Sequence, residues 1–140
     1  MAKNIRLIFF VVFLLWGAFS LSVQAKEPHV DVMHVKGTVN PVLADYIQRG
    51  IAEAEKDGAI ACIIQMDTPG GLDTAMRDIV QSILNARLPI VVYVSPSGAR
   101  AASAGVFITI SAHVAAMSSN TVIGAAHPVS LGGDETETEY

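Results

Sequence analysis

The 140-residue chain has a single cysteine, Cys62, so no intrachain disulfide can form. Cys62 lies inside an apolar run, where a lone thiol behaves as a small buried hydrophobe. Charge is sparse at 16% and basic residues are few, 9 against 13 acidic ones, with no basic cluster. A surface of that kind does not suit nucleic acid. No spacing of His, Cys, Asp and Glu suggests a metal site, and the glycine fingerprint of a dinucleotide fold is missing, so neither metal nor cofactor is expected. No internal repeat is present. No lysine follows Lys56.

Charge is also missing from one continuous stretch near the start. After Lys3 and Arg6 no charged residue occurs until Lys26. A positive leader, an apolar core and the small-x-small triplet Val23-Gln24-Ala25 predict a signal peptide over residues 1–25. The alternative is an uncleaved N-terminal membrane anchor, since 19 uncharged residues approach the roughly 20 that span a bilayer. Either reading exports residues 26–140 to the periplasmic or extracytoplasmic face of a membrane. That segment carries seven basic and 13 acidic residues, a formal charge of −6, with four of the acids in the terminal DETETEY. Such a tail reads as a solvated loop.

What is present is a regular alternation of patterns. HVDVMHVKG (29–37) alternates apolar and polar residues as a strand does. Asn40 and Pro41 then mark a helix start, and Leu43, Tyr46, Ile47, Gly50, Ile51 and Ala54 share one helical face up to a stop at Gly58. AIACIIQMD (59–67) is nearly all apolar, which predicts a strand buried on both faces. TPGG turns the chain. LDTAMRDIVQSILNAR (72–87) repeats the helical spacing, and PIVVYVSP (89–96) predicts another buried strand. SAGVFITISAH predicts a helix buried on most sides, and VAAMS and TVIGA predict short strands around a turn at Ser118-Ser119-Asn120. The order predicts an α/β domain with repeated strand–helix units, right-handed crossovers and a mainly parallel sheet.

Sites in open α/β sheets form at the carboxyl ends of strands. Two segments fall there: DTPGG (67–71) and SGARAASAG (97–105). Ser103 falls at the start of a helix after a strand and a loop, a placement like that of a nucleophile elbow, although alanine stands where G-x-S-x-G has its first glycine. The N–H of Ala104 and those of Gly70 or Gly71 could then meet a developing oxyanion. The same small residues also suit plain helix–sheet packing. Ser95 and Ser97 read as turn residues, and Arg100 as a loop charge or a contact to another subunit. A serine nucleophile needs a base. His127 in GAAHPVS is the candidate within the chain, His113 reads as structural, and Lys26, Lys36 and Lys56 all precede the site.

QMDTPGGLDTAMRDIVQSI, PIVVYVSPSGARAASAGVFITISAHVAAM and TVIGAAHPVSLGG resemble the N-terminal catalytic domain of NfeD-type membrane-bound serine proteases, ClpP-class enzymes of the ClpP/crotonase superfamily. The resemblance covers roughly residues 30 to 133. It implies a ClpP/crotonase-like fold, a nucleophile at Ser103, an oxyanion hole at Gly70 or Gly71 and Ala104, and a homo-oligomer. It also implies a polypeptide substrate, with a stomatin- or prohibitin-like membrane protein as partner. Family members use a Ser–Lys dyad whose lysine lies beyond the acidic loop, so the chain is expected to be a fragment lacking its general base. His127 acting as base is the alternative. A non-catalytic scaffold at the membrane is the competing reading. An acyl-CoA enzyme of the crotonase type fits the fold but not an export signal.

Overall fold

The computed structural model describes residues 27–126. Residues 1–25, the acidic tail and His127 lie outside them. Six strands and three helices follow in the order β1 (Val30–Lys36), α1 (Pro41–Asp57), β2 (Ala61–Asp67), α2 (Asp73–Leu84), β3 (Ile90–Val94), β4 (Arg100–Ala102), α3 (Ala104–Ile110), β5 (Val114–Met117) and β6 (Val122–Gly124). Four strands form one sheet in the order β1-β2-β3-β5, and β4 pairs with β6 in a separate ribbon. Every pairing is parallel.

Local signals in the sequence set the helix ends. The Asn40 side chain accepts the Leu43 N–H at 2.9 Å, satisfying one of the amides a helix start leaves without a partner. Pro41 takes the first turn, where no amide is needed, and Gly58 closes α1 in the left-handed conformation. The buried stripe of α1 is Ala44, Ile47, Ile51 and Ala54, with Tyr46 turned to its exposed flank. Gly50 sits against the Met33 thioether of β1, where a Cβ would collide with sulfur. In α2 the stripe is Ala75, Met76, Ile79 and Ile83, while Leu84 at its end is exposed. Glu55 on α1 accepts the backbone N–H of Arg87 at 2.7 Å and two guanidinium bonds at 2.8 and 3.1 Å. That clamp ties α1 to the segment entering β3.

β2 and β3 are not buried on both faces. Cys62, Ile64 and Met66 in β2, and Ile90, Val92 and Val94 in β3, are fully buried, while the residues between them are half-exposed. The reason is strand order. The sheet grows in one direction without reversing, so right-handed crossovers put every helix on the same face. The opposite face carries a cross-strand row of Val32, Ile63, Val91 and Val114, with Val32 and Val114 exposed. Helix α3 likewise differs from expectation. It ends at Ile110 and buries only Ala104, Gly105, Ile108 and Thr109, leaving Phe107 and Ile110 outside. Among the described residues, no helix is long and apolar enough to cross a membrane.

Candidate active site

Just past the carboxyl end of β2 the ribbon β4–β6 joins the sheet through a bridge between Thr68 and Ala101. Thr68, just past β2, is the joint. Its N–H donates to the Arg100 carbonyl at 2.7 Å and its own carbonyl accepts the Ala102 N–H at 3.1 Å. DTPGG and SGARAASAG are thereby laid side by side, as expected from topology. Asp67 adds a bond by accepting the Arg100 N–H at 3.2 Å. The Arg100 side chain is exposed on β4.

Ser103 occupies the one-residue link between β4 and α3, with φ 51° and ψ −116°. A serine that merely starts a helix has extended dihedrals and turns its oxygen onto the helix amides. Ser103 does neither: its hydroxyl makes no capping bond, and its backbone sits where a non-glycine residue costs about 1–3 kcal/mol. Two bonds hold it there. Its N–H donates to the Gly124 carbonyl of β6 at 2.9 Å, and its carbonyl accepts the Val106 N–H at 3.0 Å. The side chain is half-buried, and it faces the glycine loop so closely that a Cβ on Gly70 would lie 2.6 Å from the Ser103 Cβ and 3.2 Å from its Oγ. Close packing and exposure of a strained serine are therefore the same arrangement.

The two glycine amides differ. The Gly70 N–H donates to the Thr68 Oγ1 at 3.1 Å, and the Gly70 carbonyl accepts the Val39 N–H at 2.8 Å. Val39 also accepts the Leu72 N–H at 2.9 Å, so the chain before α1 pairs with the loop on one side. Carbonyl and N–H of a trans peptide point in opposite directions. The Gly71 N–H therefore faces away from Val39, at an exposed residue, with no acceptor among the described residues. The Ala104 N–H is likewise without an acceptor among them, immediately after Ser103. Thr68, buried without exposure, is a site residue that the sequence reading misses, although a threonine two residues before a glycine is a recognised turn signal.

The remaining candidates are placed elsewhere. The His113 ring accepts the Ile90 N–H at Nδ1, 3.1 Å, and so serves the start of β3. Ser95 is buried and its Oγ accepts from the Gln65 amide at 3.1 Å, while Ser97 accepts from Asn120 at 3.4 Å. Of the lysines, Lys36 lies 3.9 Å from Asp67 and Lys56 3.5 Å from Glu53, and Lys26 lies outside the described residues. Among the described residues no group of His, Cys, Asp and Glu is arranged to hold a metal ion. Cys62 is fully buried, and that burial, with the nearby Asp31 carboxylate, pushes its thiol up to about 11.

The family model described as the N-terminal domain of NfeD1b matches residues 29–139. The chain belongs to that NfeD1b N-terminal domain family. Membrane-bound protease PH1510 of Pyrococcus horikoshii is 45% identical over 100 residues, 71% of this chain and 23% of the relative. Among solved structures, a membrane-bound stomatin-specific protease superposes with a TM-score of 0.74 at 40% identity in a serine-to-alanine form, over 81% of this chain and 55% of that one. The same protease with a lysine replaced by alanine, in complex with a substrate peptide, gives 0.75 at 41% identity, over 81% and 52%. ClpP1 of Listeria monocytogenes shares the fold, with a TM-score of 0.59 at 22% identity over 64% of this chain and 52% of that one. This NfeD1b-type domain therefore has a ClpP-like fold with a parallel sheet. It spans about a quarter of PH1510 and about half of the solved relatives.

Proposed function

We propose that this domain is the catalytic domain of a membrane-associated serine endopeptidase, with Ser103 as nucleophile. The observation that carries the proposal is the backbone of Ser103, strained at φ 51° and ψ −116°, with its hydroxyl left uncommitted to the helix it precedes. Ser103 Oγ attacks the scissile carbonyl, and the carbonyl oxygen takes up negative charge. The exposed Gly71 N–H and the Ala104 N–H are the donors for it, since the Gly70 N–H is already committed to Thr68. A donor of this kind is commonly worth about 3 kcal/mol in the transition state. The proton of Ser103 passes to a lysine supplied by another part of the polypeptide, with His127 as the alternative base. A lysine-to-alanine relative that holds a substrate peptide supports the lysine.

The substrate is an apolar polypeptide segment of a stomatin-like membrane protein, a reading supported by the name of the solved protease. Export through the segment at residues 1–25, work at the extracytoplasmic face and assembly into a homo-oligomer belong to the same proposal.

The test is covalent labelling of the full-length protein with a fluorophosphonate probe, followed by peptide mapping. An adduct on Ser103 that is lost in Ser103→Ala is the expected result. Folded protein that takes up no probe at Ser103 overturns the proposal.

A further inference from the structure

We propose that Thr68 is a positioning residue that sets which amide of the glycine loop is offered to the reaction; this rests on Ser103 acting as the nucleophile. Thr68 is fully buried and touches all three pieces of the site. Its backbone bonds in both directions to β4, at Arg100 and Ala102, one residue short of Ser103. Its hydroxyl accepts the Gly70 N–H at 3.1 Å and donates to the Gly70 carbonyl oxygen at 3.4 Å. Its methyl lies under the first turn of α3, where a Cβ on Gly105 would come within 2.6 Å of Thr68 Cγ2.

The hydroxyl and the methyl do different work. By accepting the Gly70 N–H, the hydroxyl fixes the peptide before Gly70, while Val39 fixes the peptide after it through the Gly70 carbonyl. With both peptides held, the Gly71 N–H has one orientation. Without the hydroxyl, the Gly70 N–H is buried and unpaired, and the loop must rotate to find another acceptor. The same hydroxyl donates to the Gly70 carbonyl at 3.4 Å, so its loss also leaves the peptide that carries the Gly71 N–H held by Val39 alone. The methyl instead packs beneath the first turn of α3 at Gly105. The alignment of the Gly71 donor therefore rests on the hydroxyl and not on the methyl.

Two substitutions separate these parts in the full-length protein. Thr68→Val keeps a methyl against Gly105 and removes the hydroxyl; Thr68→Ser keeps the hydroxyl. The readouts are the maximal labelling rate and the half-saturating concentration of the fluorophosphonate probe, together with deuterium exchange at the Gly70 amide. Thr68→Val is expected to lower the maximal rate by roughly 100-fold, as small misplacements do, with the half-saturating concentration unchanged and Gly70 exchange accelerated. Thr68→Ser is expected to keep Gly70 protection and most of the rate. Equal losses in both variants, or a Thr68→Val protein that labels at the wild-type rate, overturn the proposal. Should the wild-type protein itself fail to label, the catalytic reading falls and this proposal falls with it. Gly70 exchange then reports only whether Thr68 holds the loop, and unchanged protection in Thr68→Val refutes even that.

Discussion

Gly70 is the position at which the packing argument can be made quantitative. Its φ is +104°, a region that side chains rarely adopt, and a Cβ there would lie 2.6 Å from Ser103 Cβ and 2.9 Å from the Ala102 carbonyl oxygen. Gly70→Ala therefore carries two costs. Backbone strain contributes about 1–2 kcal/mol, and overpacking against a rigid turn contributes about 1–3 kcal/mol. The natural control is Gly58, which also has a positive φ, +73°, but whose Cβ position has nothing within 4 Å. Gly58→Ala carries the strain alone, about 1 kcal/mol. Urea unfolding followed by circular dichroism should then lower the midpoint of Gly70→Ala by roughly 1–3 M, since each molar of urea is worth about 1–3 kcal/mol. Gly58→Ala should shift it by less than half as much, and Ser103 in Gly70→Ala should lose its reactivity with the probe. If the two variants unfold at the same midpoint and Ser103 still labels, the loop and the serine are not in the contact described, and the account of the site fails.

Three further outcomes concern Ser103 and Cys62. Ser103→Gly removes strain of about 1–3 kcal/mol against a glycine entropy cost of about 0.5–1 kcal/mol; thermal unfolding should therefore occur at a higher temperature, with reaction at that position abolished. Cys62, with its thiol pushed up to about 11, should resist iodoacetamide at pH 8 in the folded protein and react readily in urea. Because the folded thiol ionises later than the unfolded one, Cys62 contributes stability that is complete below about pH 9 and is lost as pH rises toward 11. Urea midpoints measured across that window should fall, and a flat profile would refute the assignment.

Much of this arrangement is legible in the amino-acid order, and the parts that are not have a common cause. The Asn40-Pro41 start, the Gly58 stop and the three longer strands are signalled by neighbours in sequence, so local reading finds them. The juxtaposition of DTPGG and SGARAASAG follows from strand ends. Burial on both faces of β2 and β3 is a wrong expectation because it depends on whether strand order reverses, which no local pattern encodes. β4 is missed because Ala101 and Ala102 are too small to show an alternation of apolar and polar side chains. The difference between the Gly70 and Gly71 amides depends on where the Thr68 hydroxyl points, a choice made by a single rotamer inside the finished site.

Strand order in the main sheet is also chain order, and that has a bearing on timing. A polypeptide that emerges amino end first can add each strand of this sheet at an open edge, never wedging one between two already joined. The acceptor that holds the Ser103 N–H, however, is Gly124 in β6, the last strand among the described residues. Until that segment has emerged and docked beside β4, only the Val106 bond of the two that hold Ser103 can form. Among the described residues, the bond on the Ser103 N–H is therefore added after the sheet beneath it.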